Sequence, residues 1–212
     1  MEETLSQNEA WFLKNKKMIV GCVCAFVVIV AGALLYHNYV AVPGEDKAST
    51  ELAKAQELFA LQQYTKALKG DSTGLMGFAQ IAKEHSGTDA GNLAKLYAGL
   101  SCANLDQWEE AVKYLEDFST KDDQMISPAA LGALGNAYAH LNQLDKAVTT
   151  LKKAAEKADN NSLSPTFLIQ AGEILERQQK KEEALKLYQQ VKEKYYESMA
   201  YQTIDAYIER VK

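Results

Sequence analysis

Outside one apolar run, this chain carries very little from which covalent or metal-centred chemistry could be built. It has three cysteines, and two of them, Cys22 and Cys24, lie inside that run. Cys102 is alone in the remainder, so no disulfide can form there. Such thrift with thiols suits an oxidising compartment, although a cytosolic domain would look the same. The three histidines, His37, His85 and His140, are isolated, and no Cys/His cluster has metal-ligand spacing. No G-x-S-x-G, HExxH, Walker A or Rossmann fingerprint occurs. Gly70-Asp71-Ser72-Thr73-Gly74 is polar and glycine-rich but lacks the lysine of a phosphate loop, and reads as a turn. Glu109-Glu110 and Glu182-Glu183 open helices, where the dipole favours negative charge. The sequence thus points away from an enzyme and implies no catalytic residue, metal or cofactor. A basic excess is also missing. The acids and lysines of the first 42 residues cancel, so the net charge of −5 belongs to 43–212. That excludes nucleic acid, which requires a basic face.

What is present begins with residues 18–36, nineteen consecutive uncharged and mostly apolar residues. As a helix they span roughly 28 Å, close to the hydrocarbon core of a bilayer. A cleaved signal peptide would need small residues just after the run, where Tyr39 and Val40 stand. A lipidation box at Ile19-Val20-Gly21-Cys22 lies too early in the run. The reading is a retained anchor. Lys14, Lys16 and Lys17 precede it and no Lys or Arg follows until Lys47, which puts the N-terminus in the cytoplasm. In a bacterium the rest would be periplasmic, behind an inner-membrane anchor. The boundaries expected are a tail at 1–17, an anchor helix at 18–40, a linker at 41–48 and a helical domain at 49–212.

That domain repeats itself. Gly99, Gly135 and Gly172 are spaced by 36 and 37 residues, and Ala111, Ala147 and Ala184 follow them at the same intervals. A fixed period of this size marks stacked units. Each unit reads as a helical hairpin. Ser127-Pro128 and Ser164-Pro165 are expected as N-caps followed by proline, Asp106-x-x-Glu109 as a capping box, and Asn142 as a further cap. The small Gly and Ala positions are expected to face one another across each hairpin. Upstream, Phe78 and Ile81 precede Leu115 and Phe118 by 37 residues, so 74–85 reads as the second helix of a degenerate unit. Its first helix would be 50–61, with 62–72 an insertion between the two. Ser198–Val211 reads as a capping helix.

The pattern resembles the tetratricopeptide repeat (TPR) family. Leu131, Leu134-Gly135, Tyr138, Ala147 and Leu151 follow the family spacing; Leu168, Ala171-Gly172, Leu175, Ala184 and Tyr188 do so in the next unit. Ala98-Gly99, Cys102, Trp108, Ala111 and Leu115 do so in the preceding one. The family's terminal proline is absent, with Asp123, Asp159 and Tyr196 in its place. The fold expected is all-α: a single N-terminal transmembrane helix, then a TPR-like α-solenoid of three full repeats, one degenerate repeat and a C-terminal capping helix. The anchor, the repeats and the segment 78–94 together resemble the ancillary SecYEG translocon subunit family, and the segment is also similar to TPR proteins of Bacteroidetes-type bacteria.

These resemblances imply a protein-protein interaction module, with translocon subunits, emerging secreted chains or periplasmic chaperones as partners. Carrying over the TPR groove positions gives Leu93, Leu96, Leu100 and Asn104 in the first full unit. In the second they are Ala129, Gly132, Asn136 and His140, and in the third Thr166, Ile169, Glu173, Glu176 and Arg177. Asn136 stands where the carboxylate-clamp subclass has asparagine, but Gly132 replaces the clamp's basic residue, which argues against an acidic tail as ligand. The alternative reading is a self-associating scaffold of the cell envelope, a homo-oligomer whose groove is filled by its own C-terminal helix.

Overall fold

The computed structural model describes residues 7–72 and 74–212. The chain divides into two compact units, Met1–Lys47 and Ala48–Lys212.

In the first unit, helix α1 runs over Gln7–Tyr36 and is followed by a π-helical turn, His37–Ala41. The apolar run lies within α1, and its Val28, Ile29 and Phe26 are exposed. By length and composition it suffices to cross a membrane. Helix α2 runs over Val42–Ala60, so residues 41–48, read as a linker, are helical.

The second unit holds α3 (Tyr64–Lys69), α4 (Phe78–Glu84), α5 (Asp89–Asn104) and α6 (Trp108–Glu116). They are followed by α7 (Ile126–His140), α8 (Leu144–Ala158), α9 (Ser164–Arg177) and α10 (Lys181–Lys194). A short 3₁₀ turn over Met199–Gln202 leads to α11, Ile204–Val211. No strand occurs among the described residues. The pairs α5/α6, α7/α8 and α9/α10 are three full hairpins, and each packs on the next through a continuous apolar core. Ile204, Ile208 and Val211 bury one face of α11 against the stack, while Asp205 and Glu209 leave its other face polar. That polarity terminates the solenoid as a cap.

The hairpin turns share one device. Gln62, Asp106, Asn142 and Gln179 have φ of 59°, 56°, 55° and 61°. After each, a backbone N–H reaches back five residues: Gln63 to Leu58, Gln107 to Cys102, Gln143 to Tyr138 and Lys180 to Leu175, each at 2.9 Å. This is a Schellman closure, which satisfies the orphan carbonyls of the outgoing helix. Asp106 and Asn142 therefore adopt the left-handed conformation and do not cap. The N-caps that follow, Gln107 and Gln143, make no side-chain cap bond. The expected capping box and Asn142 cap are corrected accordingly.

The same closure at Gln62 corrects the reading of the first repeat. Leu61-Gln62-Gln63-Tyr64 with Ala67 repeats the turn of Leu105-Asp106-Gln107-Trp108 with Ala111. Residues 62–72 are thus not an insertion between two helices. They contain the hairpin turn and α3, the first half of the second helix; α4 is its second half. The insertion is the loop Gly70–Gly77 between them. Gly70 has φ 82°, and a Cβ there would meet Leu75 O at 2.3 Å. A Cβ on Gly77 would lie 2.3 Å from Gly70 N and 2.4 Å from Leu68 O. The loop closes on itself backbone to backbone, which only glycine at both ends permits. Phe59 of α2 meets Tyr64, Phe78 and Tyr97 edge-on at 5.3, 6.2 and 5.4 Å between ring centroids, uniting this split repeat with α5.

Helix starts also differ from expectation. Ser127 lies inside α7 and Ser164 opens α9, and both are fully buried. Asp123 does the capping at α7: its Oδ1 accepts from the N–H groups of Met125, Ile126 and Ser127 at 2.9, 2.6 and 3.0 Å. At α9 Asn160 Oδ1 accepts from Ser162 and Leu163, both at 2.9 Å. Ser164 instead donates to Ala155 O at 2.8 Å, tying α9 to the preceding hairpin. Each acceptor stands four residues ahead of the serine, where a side chain reaches several free N–H groups together.

Within hairpins the glycines face more than the alanines: a Cβ on Gly99 would come within 3.3 Å of Ala111 O, but the tighter contacts are with larger residues. A Cβ on Gly99 would meet Leu115 Cγ at 2.6 Å, one on Gly135 would meet Leu151 Cγ at 2.7 Å, and one on Gly172 would meet Tyr188 Cε1 at 2.3 Å. The glycine admits the large residue four positions beyond each alanine. Ala111, Ala147 and Ala184 are fully buried.

Candidate functional site

The first helices of the three full hairpins, α5, α7 and α9, line a cleft of about 960 Å³. Its α9 wall is one helical stripe, Phe167, Gln170, Ile174 and Arg177, with Glu173 beside it and Leu163 just ahead of the helix. Helix α7 supplies Ala129, Gly132, Ala133, Asn136 and His140; α5 supplies Leu100, Ala103 and Asn104. The floor is apolar because small residues on α7 leave room for a large one on α9. A Cβ at Gly132 would sit 2.3 Å from Phe167 Cε1, so the ring lies directly on the α7 backbone.

Two further residues enter from other elements. Trp108, the first residue of α6, stacks face to face on His140 with centroids 3.6 Å apart and planes 6° apart. His140 is therefore one layer of an aromatic wall joining two repeats. At the far end Arg210 of α11 grips Glu176 with two bonds, Nε to Oε2 at 2.8 Å and Nη2 to Oε1 at 2.7 Å. The Tyr188 hydroxyl donates to the same carboxylate. Burial raises the Glu176 pKa, but the bonds from Arg210 and Tyr188 outweigh it and hold the carboxyl below its ordinary value. Burial, then the bond to Glu176, pushes the Tyr188 hydroxyl upward. One repeat earlier the Tyr138 hydroxyl donates to Glu116, and burial followed by that bond pushes it to about 12.

Of the thirteen groove residues expected from sequence, Leu100, Asn104, Asn136, His140, Glu173 and Arg177 come together here. Ala129, Gly132 and Glu176 join them, and Thr166 is exposed without lining the cleft. Leu93, Leu96 and Ile169 do not line it. Leu96 is buried, and Leu93 and Ile169 pack half-buried against the core. Helix α5 is packed by α3, α4, α6 and α7, which covers more of its surface than a hairpin counted alone would suggest. The sequence reading missed Trp108, Phe167, Gln170 and Arg210. Phe167 and Gln170 were recoverable from the α9 stripe, whereas Trp108 and Arg210 come from outside the first helices. Helix α11 packs on α10 and reaches the cleft through Arg210, so it caps the end and leaves the cleft open. Among the described residues no group of three His, Cys, Asp or Glu could hold a metal ion. Cys102 is buried, and burial, then Glu110, push its thiol to about 11 against Lys69.

A solved structure of nearly identical TPR-like repeats from a kinesin light chain of Podosopora anserina shares the fold. It has a TM-score of 0.60 at 14% identity over 79% of this chain and 85% of that one. The ancillary SecYEG translocon subunit of Aggregatibacter actinomycetemcomitans is 29% identical over 197 residues, which are 91% of this chain and 88% of the relative. The family model described as a tetratricopeptide repeat-like domain matches residues 9–209. With its hairpins, shared turn closure and concave cleft in place, the chain belongs to the tetratricopeptide repeat-like domain family.

Proposed function

We propose that this protein is a membrane-anchored protein-binding module that serves protein translocation at the bacterial inner membrane. Residues 18–40 are its anchor, with 1–17 in the cytoplasm, and the repeat domain works on the periplasmic side. The observation that carries the binding role is the open cleft of about 960 Å³, with an apolar floor and a polar rim. The location rests on the three lysines ahead of the apolar run and on the name borne by the Aggregatibacter relative. Its partners are translocon subunits, emerging secreted chains or periplasmic chaperones, and it acts by holding them rather than by chemistry on them. The test is isolation of the full chain from its native membrane, with Ala133→Trp as the variant that fills the cleft. Translocation partners that accompany the unmodified chain and are lost from Ala133→Trp support the reading. Equal recovery with both, or degradation of the repeat domain only after the cytoplasm is opened to protease, overturns it.

A further inference from the structure

The exposed apolar side chains of the repeat domain collect on one edge. Among the described residues of the second unit, the large ones left exposed are Leu61, Met125, Ile126, Tyr196, Met199 and Tyr201. Leu61 stands at a hairpin turn. The other five stand where one hairpin connects to the next or to the cap: Met125 and Ile126 at the start of α7, the rest between α10 and α11. The hairpin turns close the C-terminal ends of the first helices, so these connections lie on the opposite edge. Two bonds join them into one surface: Asn160 Nδ2 donates to Gln124 O at 3.0 Å, and Asn161 Nδ2 donates to Glu197 Oε2 at 3.4 Å. The C-terminal group is held in place by its own surroundings. Tyr195 and Ile204 are buried on either side of it, and Ser198 Oγ donates to Tyr195 O at 2.6 Å, so the 3₁₀ turn carries Met199 outward, 88% exposed.

We infer that this edge docks on the surface of the bilayer, with Met125, Ile126, Tyr196, Met199 and Tyr201 seated among the headgroups of zwitterionic phospholipid. This rests on the anchor proposed above and adds a second, peripheral membrane contact made by the repeat domain itself. Connectivity argues for lipid as the occupant. The chain enters the second unit at Ala48, at the end of α2 away from the Gln62 turn, and therefore at this same edge. A few exposed side chains would hold a free soluble domain to a bilayer only weakly, but a domain tethered at that edge meets the lipid at a high effective concentration. Residue chemistry argues for the interface: tyrosine turns its ring toward acyl chains and its hydroxyl toward headgroups, and methionine adapts its shape to either. Charge argues for zwitterionic lipid. The lysines beside these residues are already paired, Lys121 with Asp89 at 3.1 Å, and Lys192 with Asp205 and Lys194 with Asp159 at 2.6 Å, so the edge offers anionic lipid little attraction. Docked in this way, the first helices stand upright on the membrane and the cleft opens along its plane.

The experiment uses the full chain in phosphatidylcholine liposomes that contain no other protein, with a photo-reactive residue in place of Met199, Met125 or Leu61. Leu61 is the control, an exposed apolar side chain on the opposite edge. The expected result is phospholipid adducts from positions 199 and 125 and few from 61. Raised salt should not lower those yields, because the contact is apolar. Met199→Asp leaves the packing intact, since that side chain is almost wholly exposed. It should lower the lipid adducts from position 125 about tenfold, since burying one such side chain is worth a factor of that order. The inference is overturned by equal lipid adducts from position 61, by yields that collapse in salt, or by a yield from position 125 that Met199→Asp leaves unchanged. Adducts from 199 and 125 only to other copies of the chain also overturn it, and make the edge a self-association surface. Flotation with the liposomes after an alkaline carbonate wash reports the anchor separately. A chain that is washed off removes the anchor and this inference together; a chain that stays but gives no lipid adducts from 199 and 125 removes this inference alone.

Discussion

Replacing Gly172 by alanine sets two effects of known sign against each other. Alanine favours a helix interior over glycine by about 1 kcal/mol, so propensity alone predicts stabilisation. The geometry predicts the reverse. The new Cβ would lie 2.3 Å from Tyr188 Cε1 and 2.6 Å from Cζ, where ordinary contacts begin near 3.4 Å. The ring must move by about 1 Å, yet it is fully buried and its hydroxyl is held by Glu176. Overpacking of this kind costs about 1–3 kcal/mol, and a tethered ring belongs at the upper end. After the propensity gain, the net loss is about 2 kcal/mol, or roughly 4–8 °C in Tm for a domain of this size. Thermal unfolding of the full chain in detergent, followed by circular dichroism, measures it. Gly87→Ala is the control, because a Cβ there meets nothing within 4 Å. In a Tyr188→Ala background the Gly172→Ala penalty should vanish. A Gly172→Ala chain as stable as the parent would refute the claim that these glycines exist to admit the large residue opposite.

Other outcomes follow from the same packing. Gln179→Gly should stabilise by about 0.5–1 kcal/mol, since glycine holds φ near 61° without the Cβ strain of glutamine; a lower urea midpoint would contradict this. Asp123→Ala removes the acceptor for three N–H groups at the start of α7 and should cost about 1–2 kcal/mol by the same assay. The Glu176 carboxyl titrates below its ordinary value when folded, so its stabilisation is present above the unfolded pKa and is lost as pH falls through the folded one. Arg210→Met should therefore flatten the loss of stability below about pH 5, and an acid limb as steep as the parent's would show that the pair contributes nothing.

The hairpins were legible because Gly99, Gly135 and Gly172 and their partner alanines keep one period, and a period survives any uncertainty about individual contacts. The first repeat was misread for the opposite reason. Eight residues, Gly70–Gly77, sit inside its second helix and shift Ala67 to 44 residues before Ala111, so a search at 36 or 37 passes over the turn at Gln62. Helix caps misled because serine before proline is a strong local signal, while Asp123 and Asn160 act from four residues away. In the cleft, counting positions along first helices found Asn104, Asn136 and Arg177, which depend only on helical spacing. It could not find Trp108 and Arg210, which arrive from a second helix and from the cap, nor that Leu96 is buried on a helix packed by α3, α4, α6 and α7.

The central claim is that the cleft between α5, α7 and α9 is the working surface. It is tested most directly by a photo-reactive residue at Asn136, in the full chain in its native membrane, with Lys152 on α8 as the control outside the cleft. Adducts to translocon subunits, secreted chains or periplasmic chaperones from Asn136, and few from Lys152, are the predicted result. Adducts from Asn136 only to other copies of this chain, or equal yields of foreign adducts from both positions, would contradict it.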